Sequence, residues 1–169
     1  MENRDSIQFQ RAEEEQDLQL IEQLATVIWE EHYIPIIGAE QVSYMLDKFQ
    51  SAAAMRRQID EGYEYFILRE IAEPVGYLAF EKRGKDLFLS KIYVLKEHRE
   101  KKIGKRAMDF VQSRARAMGC SRISLTVNKN NDKSLLAYKS MGFLCERALV
   151  MDIGNGFVMD DFLLYKPLT

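Results

Sequence analysis

Leu87–Lys105 reads LFLSKIYVLKEHREKKIGK, and the fold is decided there. An apolar strand runs into a polar loop, and the loop opens a helix at Gly104. Amides at a helix start lack an intrahelical acceptor, and the helix dipole favours an anion beside them. Between Lys96 and Arg106 stand six basic residues, Lys96, Arg99, Lys101, Lys102, Lys105 and Arg106. Only Glu97 and Glu100 offset them, which leaves a local charge of +4. That combination suits a pyrophosphate. It also describes a solvated charged turn ahead of an amphipathic helix, so this segment alone leaves both readings open.

Working outward, the helix runs from Gly104 to Met118, with Met108, Val111, Ala115 and Met118 inward and Gly119 as its stop. Arg122–Val127 alternates as a strand, and Asp132–Met141 is a short helix ended by Gly142. Residues 87–141 therefore alternate strand, helix, strand, helix. Upstream, Ser6–Ala12 reads as a short strand. Asp17 is placed to cap a helix carrying Leu18, Ile21, Leu24, Ala25, Ile28 and Trp29, which Pro35 and Gly38 should break. Helical pieces follow at Ala39–Phe49 and Ala52–Ile59. Tyr65–Ile71 and Val75–Glu81 are aromatic and β-branched, with a turn expected at Glu73–Pro74 and another at Lys82–Lys85. Downstream, Phe143–Ile153 and Phe157–Tyr165 flank Asn155–Gly156, a hairpin signal.

Composition narrows the function. A chain of 169 residues with 47% hydrophobic residues suits one domain spanning 1–169. It can bury about 70% of its unfolded surface without a metal or disulfide staple. The 24 basic and 26 acidic residues nearly cancel, which argues against a generic nucleic-acid binder. Cys120 and Cys145 form no C-x-x-C pair, and only His32 and His98 could assist, so no metal site is expected and both thiols should be buried and free. Charges near the start leave no secretory signal, and no apolar run reaches the ~18 residues of a membrane span. A cytoplasmic protein that binds neither membrane nor nucleic acid is the expectation.

A second segment adds to the first. Asn131, Ser134 and Tyr138 recur at i, i+3, i+7, so all three share one helix face. Two amide or hydroxyl groups and a phenol could line a groove there. The plainer alternative has Asn131 or Asp132 capping the helix, Ser134 solvated and Tyr138 packed.

Together the two segments resemble the GNAT superfamily of acetyl-CoA-dependent N-acetyltransferases. Its cofactor motif, [RQ]-x-x-G-x-[GA] after a strand ending in an L-Y-V-like triplet, is matched by Ile92-Tyr93-Val94 and then Arg99-Glu100-Lys101-Lys102-Ile103-Gly104. Its later motif, N-x-x-[AS]-x-x-x-Y-x-x-x-G-F, is matched by Asn131, Ser134, Tyr138, Gly142 and Phe143. Lys102 departs from the pattern, standing where the family usually has its first glycine. The resemblance implies an α/β (α+β) fold, with a mixed, mostly antiparallel sheet of about seven strands flanked by helices. It implies a splay between the strands at 87–95 and 122–127, with pantetheine in that gap against backbone near Ile92, Tyr93 and Val94. It further implies that amides from Arg99 to Lys105 hold the pyrophosphate and that Asn131 and Ser134 border the cofactor.

By the same resemblance, an amine attacks the thioester directly in a ternary complex, with acetyl-CoA as co-substrate and no metal. Tyr138 matches the family's general acid, and a phenol near pKa ~10 suits a departing thiolate of about 8.5 or somewhat above. Base candidates are Glu30, Glu31 and His32 near the end of the first helix, with Glu81 and Asp160 or Asp161 as others. The resemblance places the first helices and last hairpin beside the acceptor. Residues 28–47 carry Glu30, Glu31, Glu40 and Asp47 without Lys or Arg, and 152–161 carry Asp152, Asp160 and Asp161 likewise. Such a rim attracts cations. Trp29–Gly38 (WEEHYIPIIG) and Gly156–Phe162 (GFVMDDF) are similar to the polyamine-acetylating branch, which would make Trp29, His32, Tyr33, Asp160 and Asp161 acceptor contacts. The alternatives are a protein N-terminal acetyltransferase and a non-catalytic acyl-CoA-binding module. The C-terminal edge strands could also pair two copies into a homodimer.

Overall fold

The computed structural model describes residues 7–168, so Ser6 of the first expected strand lies outside them. The element order is β1 (Ile7–Arg11), α1 (Glu15–Ile37), α2 (Ala39–Phe49), α3 (Ala52–Asp60), β2 (Glu64–Glu70), β3 (Glu73–Arg83) and β4 (Asp86–Val94). A single 3-10 turn at Lys96–His98 follows, then α4 (Ile103–Ala117), β5 (Arg122–Asn128), α5 (Asp132–Ser140), β6 (Leu144–Gly154) and β7 (Phe157–Pro167). The strands form one seven-stranded sheet in the order β1-β2-β3-β4-β5-β7-β6. It is the mixed, mostly antiparallel α/β arrangement expected from the sequence, with β6 at the C-terminal edge.

The described residues form two compact units, one running to Glu81 and taking in Lys91–Phe110, the other made of Lys82–Ser90 and the chain from Val111 onward. β4 and α4 each run from one unit into the other. In the first unit, β1 pairs antiparallel with β2, from Ile7↔Glu70 to Arg11↔Phe66, and β2 pairs antiparallel with β3. The stripe Leu18, Ile21, Leu24, Ala25, Ile28 and Trp29 of α1 is buried, as its helical spacing requires. Phe110 stacks on Phe9 at 4.2 Å and meets Phe66 edge-on at 5.0 Å. Phe66 is buried, a contribution of about 1.5–3 kcal/mol, and the half-buried Phe9 and Phe110 cover it.

In the second unit, β5 pairs antiparallel with β7 from Arg122↔Pro167 to Asn128↔Asp161. β6 and β7 close a hairpin in which Asn155 and Gly156 both have positive φ, 55° and 79°. The start of β4 pairs parallel with β5 at Asp86↔Arg122, Leu87↔Ile123 and Phe88↔Ser124. Arg122 cements this corner, bonding Asp86 at 2.8 Å and Glu146 at 3.1 Å.

Four local expectations need correction. Asp17 is not the N-cap of α1. It sits at the third helical position, where its Oδ2 accepts from the N–H groups of Glu13 and Glu14, at 3.2 and 3.1 Å. Pro35 does not end α1; it lies in the last turn, and Gly38 at φ 89° ends the helix by donating to Ile34 O at 2.9 Å. The β2–β3 turn falls on Ile71 and Ala72, both at positive φ, and Glu73 and Pro74 already belong to β3. Cys120 is buried as expected, but Cys145 is exposed, because it lies on the edge strand β6.

Candidate active site

In the first unit, β4 ends at Val94 and the chain enters the loop that opens α4. Leu95 N–H donates to Val75 O at 2.8 Å, and Arg99 Nε donates to Val94 O at 3.0 Å. Glu70, at the end of β2, reaches the same loop, with its oxygens 3.6 Å from His98 Nδ1 and 3.8 Å from Lys101 Nζ. Glu100 and Lys102 both sit in the left-handed region, at φ 67° and 62°. The first helical bond runs from Arg106 N–H to Lys102 O at 3.1 Å, so the amides of Lys102, Ile103, Gly104 and Lys105 have no acceptor within the helix. A Cβ built on Gly104 would meet nothing within 4 Å. Open space at Gly104, helix-start amides without an intrahelical acceptor and nearby cations fit a pyrophosphate.

An aromatic cluster lies on α1, β3 and β4 of the same unit. Trp29 is 4.4 Å from Tyr33 and 5.7 Å from Tyr93 between ring centroids. His32 stands edge-on to Tyr33 at 4.8 Å, and Tyr93 is 5.3 Å from Tyr77. Trp29 and Tyr77 are buried, while His32, Tyr33 and Tyr93 are half-buried, so the cluster has an inner and an outer layer. Glu30 and Glu31 are exposed on α1, and Glu81 is half-buried.

Beneath Tyr93 the structure reveals a residue that the sequence reading missed. Lys91 is 5% exposed. Its Nζ donates to Phe49 O at 2.7 Å, to Gln58 Oε1 at 3.0 Å and to the Tyr65 hydroxyl. Burial pushes this amine down to about 7. Strand parity could have found it. Leu87, Leu89 and Lys91 alternate on the buried side of β4, which puts a lysine where an aliphatic residue belongs.

In the second unit, α5 carries the other motif. Asn131 occupies its N-cap position and is buried, Ser134 is half-buried, and the half-buried Tyr138 ring packs edge-on against Phe143 at 5.5 Å. The loop between β5 and α5 is tied to β7: Lys129 N–H donates to Asp160 O at 3.1 Å, and Lys129 Nζ meets Asp160 Oδ1 at 2.7 Å. Asp161 points to the opposite face of β7 and is 4% exposed. Burial above all, and then neighbouring Asp160, push its carboxyl up to about 6. Both aspartates thus lie at the carboxyl end of β5, where α5 begins.

Among the described residues, no group of His, Cys, Asp or Glu could hold a metal ion, and no helix is long and apolar enough to cross a membrane.

In chain order, a strand, an anion-receptive loop and helix start, and then the Asn131–Tyr138 motif are the signature expected of a coenzyme A-dependent acyltransferase. Residues 21–143 match the model of the acetyltransferase (GNAT) family, and the chain belongs to that family. It is an acyltransferase that uses acetyl-CoA. Solved structures share the fold over nearly the whole chain. The PaiA N-acetyltransferase of Thermoplasma acidophilum, solved with coenzyme A, has a TM-score of 0.79 at 19% identity, covering 96% of this chain and 99% of that one. A GCN5-related N-acetyltransferase from Rhodopseudomonas palustris has a TM-score of 0.78 at 15% identity, covering 96% and 95%. A chimera of the spermidine N-acetyltransferase SpeG from Vibrio cholerae and hSSAT has a TM-score of 0.70 at 18% identity, covering 96% and 95%. No curated protein matches the chain in sequence.

Proposed function

We propose that the chain, acting as one N-acetyltransferase domain over 1–169, acetylates a small cationic primary amine such as a polyamine. The observation that carries this reading is the absence of Lys and Arg from 28–47 and from 152–161, against four and three carboxylates respectively. The spermidine acetyltransferase chimera among the structural neighbours is consistent with it. Acetyl-CoA, when bound, supplies the activated thioester. The amide cradle expected from Arg99 to Lys105 narrows to Glu100–Lys105, because Arg99 N–H already donates to Lys96 O at 3.2 Å, and those amides hold the pyrophosphate. In the first unit, Ile92, Tyr93 and Val94 offer backbone to the pantetheine.

The amine reaches the thioester as an ammonium and must lose a proton before it attacks. Asp161 is the proton acceptor this reading favours, because burial holds its carboxyl up near 6 and so makes it a stronger base than an ordinary carboxylate. The nitrogen then attacks the carbonyl carbon, the C–S bond breaks, and Tyr138 gives its hydroxyl proton to sulfur. The nitrogen's second proton restores the phenol, so one proton is released to solvent per turnover. Within the first unit, His32 and Tyr33 with Trp29 form the aromatic surface offered to the acceptor's apolar parts.

Thiol release from acetyl-CoA across spermidine, spermine, lysine and peptide N-termini tests this. The polyamines should give the highest kcat/KM. Preference for a neutral or anionic acceptor would overturn the reading, and preference for peptide N-termini would favour a protein acetyltransferase.

A further inference from the structure

We propose that Lys91 is a positioning residue for acetyl transfer: its ammonium ties the Ile92–Val94 stretch of β4 to the junction of α2 and α3, and its protonation state decides whether the tie is complete. This rests on the reading that Ile92–Val94 line the cofactor.

The tie is a closed hydrogen-bond network. Phe49 is the last residue of α2, so its carbonyl is one of those a helix leaves without an internal partner, at the negative end of the dipole. Lys91 Nζ and Gln58 Nε2 both donate to it, at 2.7 and 3.2 Å. Gln58 Oε1 in turn accepts from Lys91 and from the Tyr65 hydroxyl. The Tyr65 oxygen accepts the third bond from Lys91, and the ammonium lies 4.9 Å from the Tyr65 ring centroid. The next residue, Gln50, is buried and accepts from the Tyr77 hydroxyl at 2.8 Å. Strands β2, β3 and β4 therefore all grip the α2–α3 junction.

Three acceptors meet three ammonium protons, so this geometry is built for the charged form. None of the three is a carboxylate, and burial opposes the charge. The titratable groups around the node are Tyr65 from β2 and Tyr77 from β3. From α2, Lys48 is the neighbouring charge; its Nζ lies 5.4 Å from the Phe49 ring centroid and donates to Tyr44. From α3, neutral Gln58 faces the amine. A neutral Lys91 has two protons and a lone pair. Either Phe49 O or Gln58 Oε1 then loses a donor, or Tyr65 turns its proton from Gln58 onto Nζ. Tyr93 lies on the same side of the strand as Lys91 and packs on Tyr77, so a change at 91 is transmitted to 92–94.

Calorimetric titration of coenzyme A from pH 6.0 to 8.5, with wild type, Lys91→Met and Tyr65→Phe, tests the proposal. Wild-type affinity should fall by about tenfold as pH rises, the loss expected for one charged hydrogen bond. Lys91→Met should bind weakly with a flat profile. Tyr65→Phe retains the amine with one acceptor fewer, so its transition should move to lower pH, which keeps the test usable if Lys91→Met does not fold. Equal affinity and equal pH dependence in wild type and the folded variants would overturn the tie alone. Failure of wild type to bind coenzyme A at any pH would instead overturn the cofactor reading, and the proposal with it.

Discussion

Arg99 Nε donates to the main-chain oxygen of Val94 at 3.0 Å, so the first residue of the family's cofactor motif is fastened to the end of β4. The guanidinium thereby fastens the loop to the strand end, ahead of the helix-start amides. Arg99→Ala should raise KM for acetyl-CoA by about tenfold through loss of a charged hydrogen bond, with kcat little changed. Steady-state kinetics with acetyl-CoA varied would check it, and an unchanged KM would show that the anchor is dispensable.

Lys102 occupies a left-handed conformation that glycine adopts at little cost. Lys102→Gly and Lys102→Ala both remove the charge, and only glycine relieves the backbone. The glycine variant should be more stable than the alanine variant by about 1 kcal/mol. Urea melts of the two compare them directly, and equal midpoints would contradict the strain.

Gly76 on β3 passes so close to β4 that an added Cβ would lie 2.2 Å from Tyr93 O. The contact is to backbone, which cannot swing aside. Gly76→Ala should cost about 3 kcal/mol or more, within the range for overpacking and backbone strain. A Tm close to wild type would show that the two strands can part at this point without loss.

Asp161 binds a proton more readily in the fold than in the unfolded chain, its carboxyl rising from 3.8 to about 6. Between those values the native protein carries more protons, so stability falls as pH rises through the window. Asp161→Asn removes this dependence. Its Tm should gain on wild type from pH 4 to pH 6.5, and an offset constant with pH would contradict the shift.

Much of this was legible in the sequence because the signals were periodic. The α1 stripe from Leu18 to Trp29 and the Ile123, Leu125, Val127 spacing of β5 follow from burial, and the Asn155–Gly156 hairpin from residues that accept positive φ. The motifs at 92–104 and 131–143 then supplied the family. What escaped depended on partners distant in sequence. Lys91 needs Phe49, Gln58 and Tyr65 to be understood, and its strand reads as ordinary without them. The turn at Ile71–Ala72 was hidden because neither residue favours positive φ, and Glu73–Pro74 gave a stronger signal two positions away. Asp160 and Asp161 look equivalent in sequence, yet strand parity gives one to Lys129 and buries the other.

The central claim is that Tyr138 delivers the proton to the departing thiolate. The direct measurement is kcat for Tyr138→Phe on the preferred amine, with acetyl-CoA affinity shown to be retained. A fall of about a hundredfold or more is predicted. An unchanged kcat would contradict it.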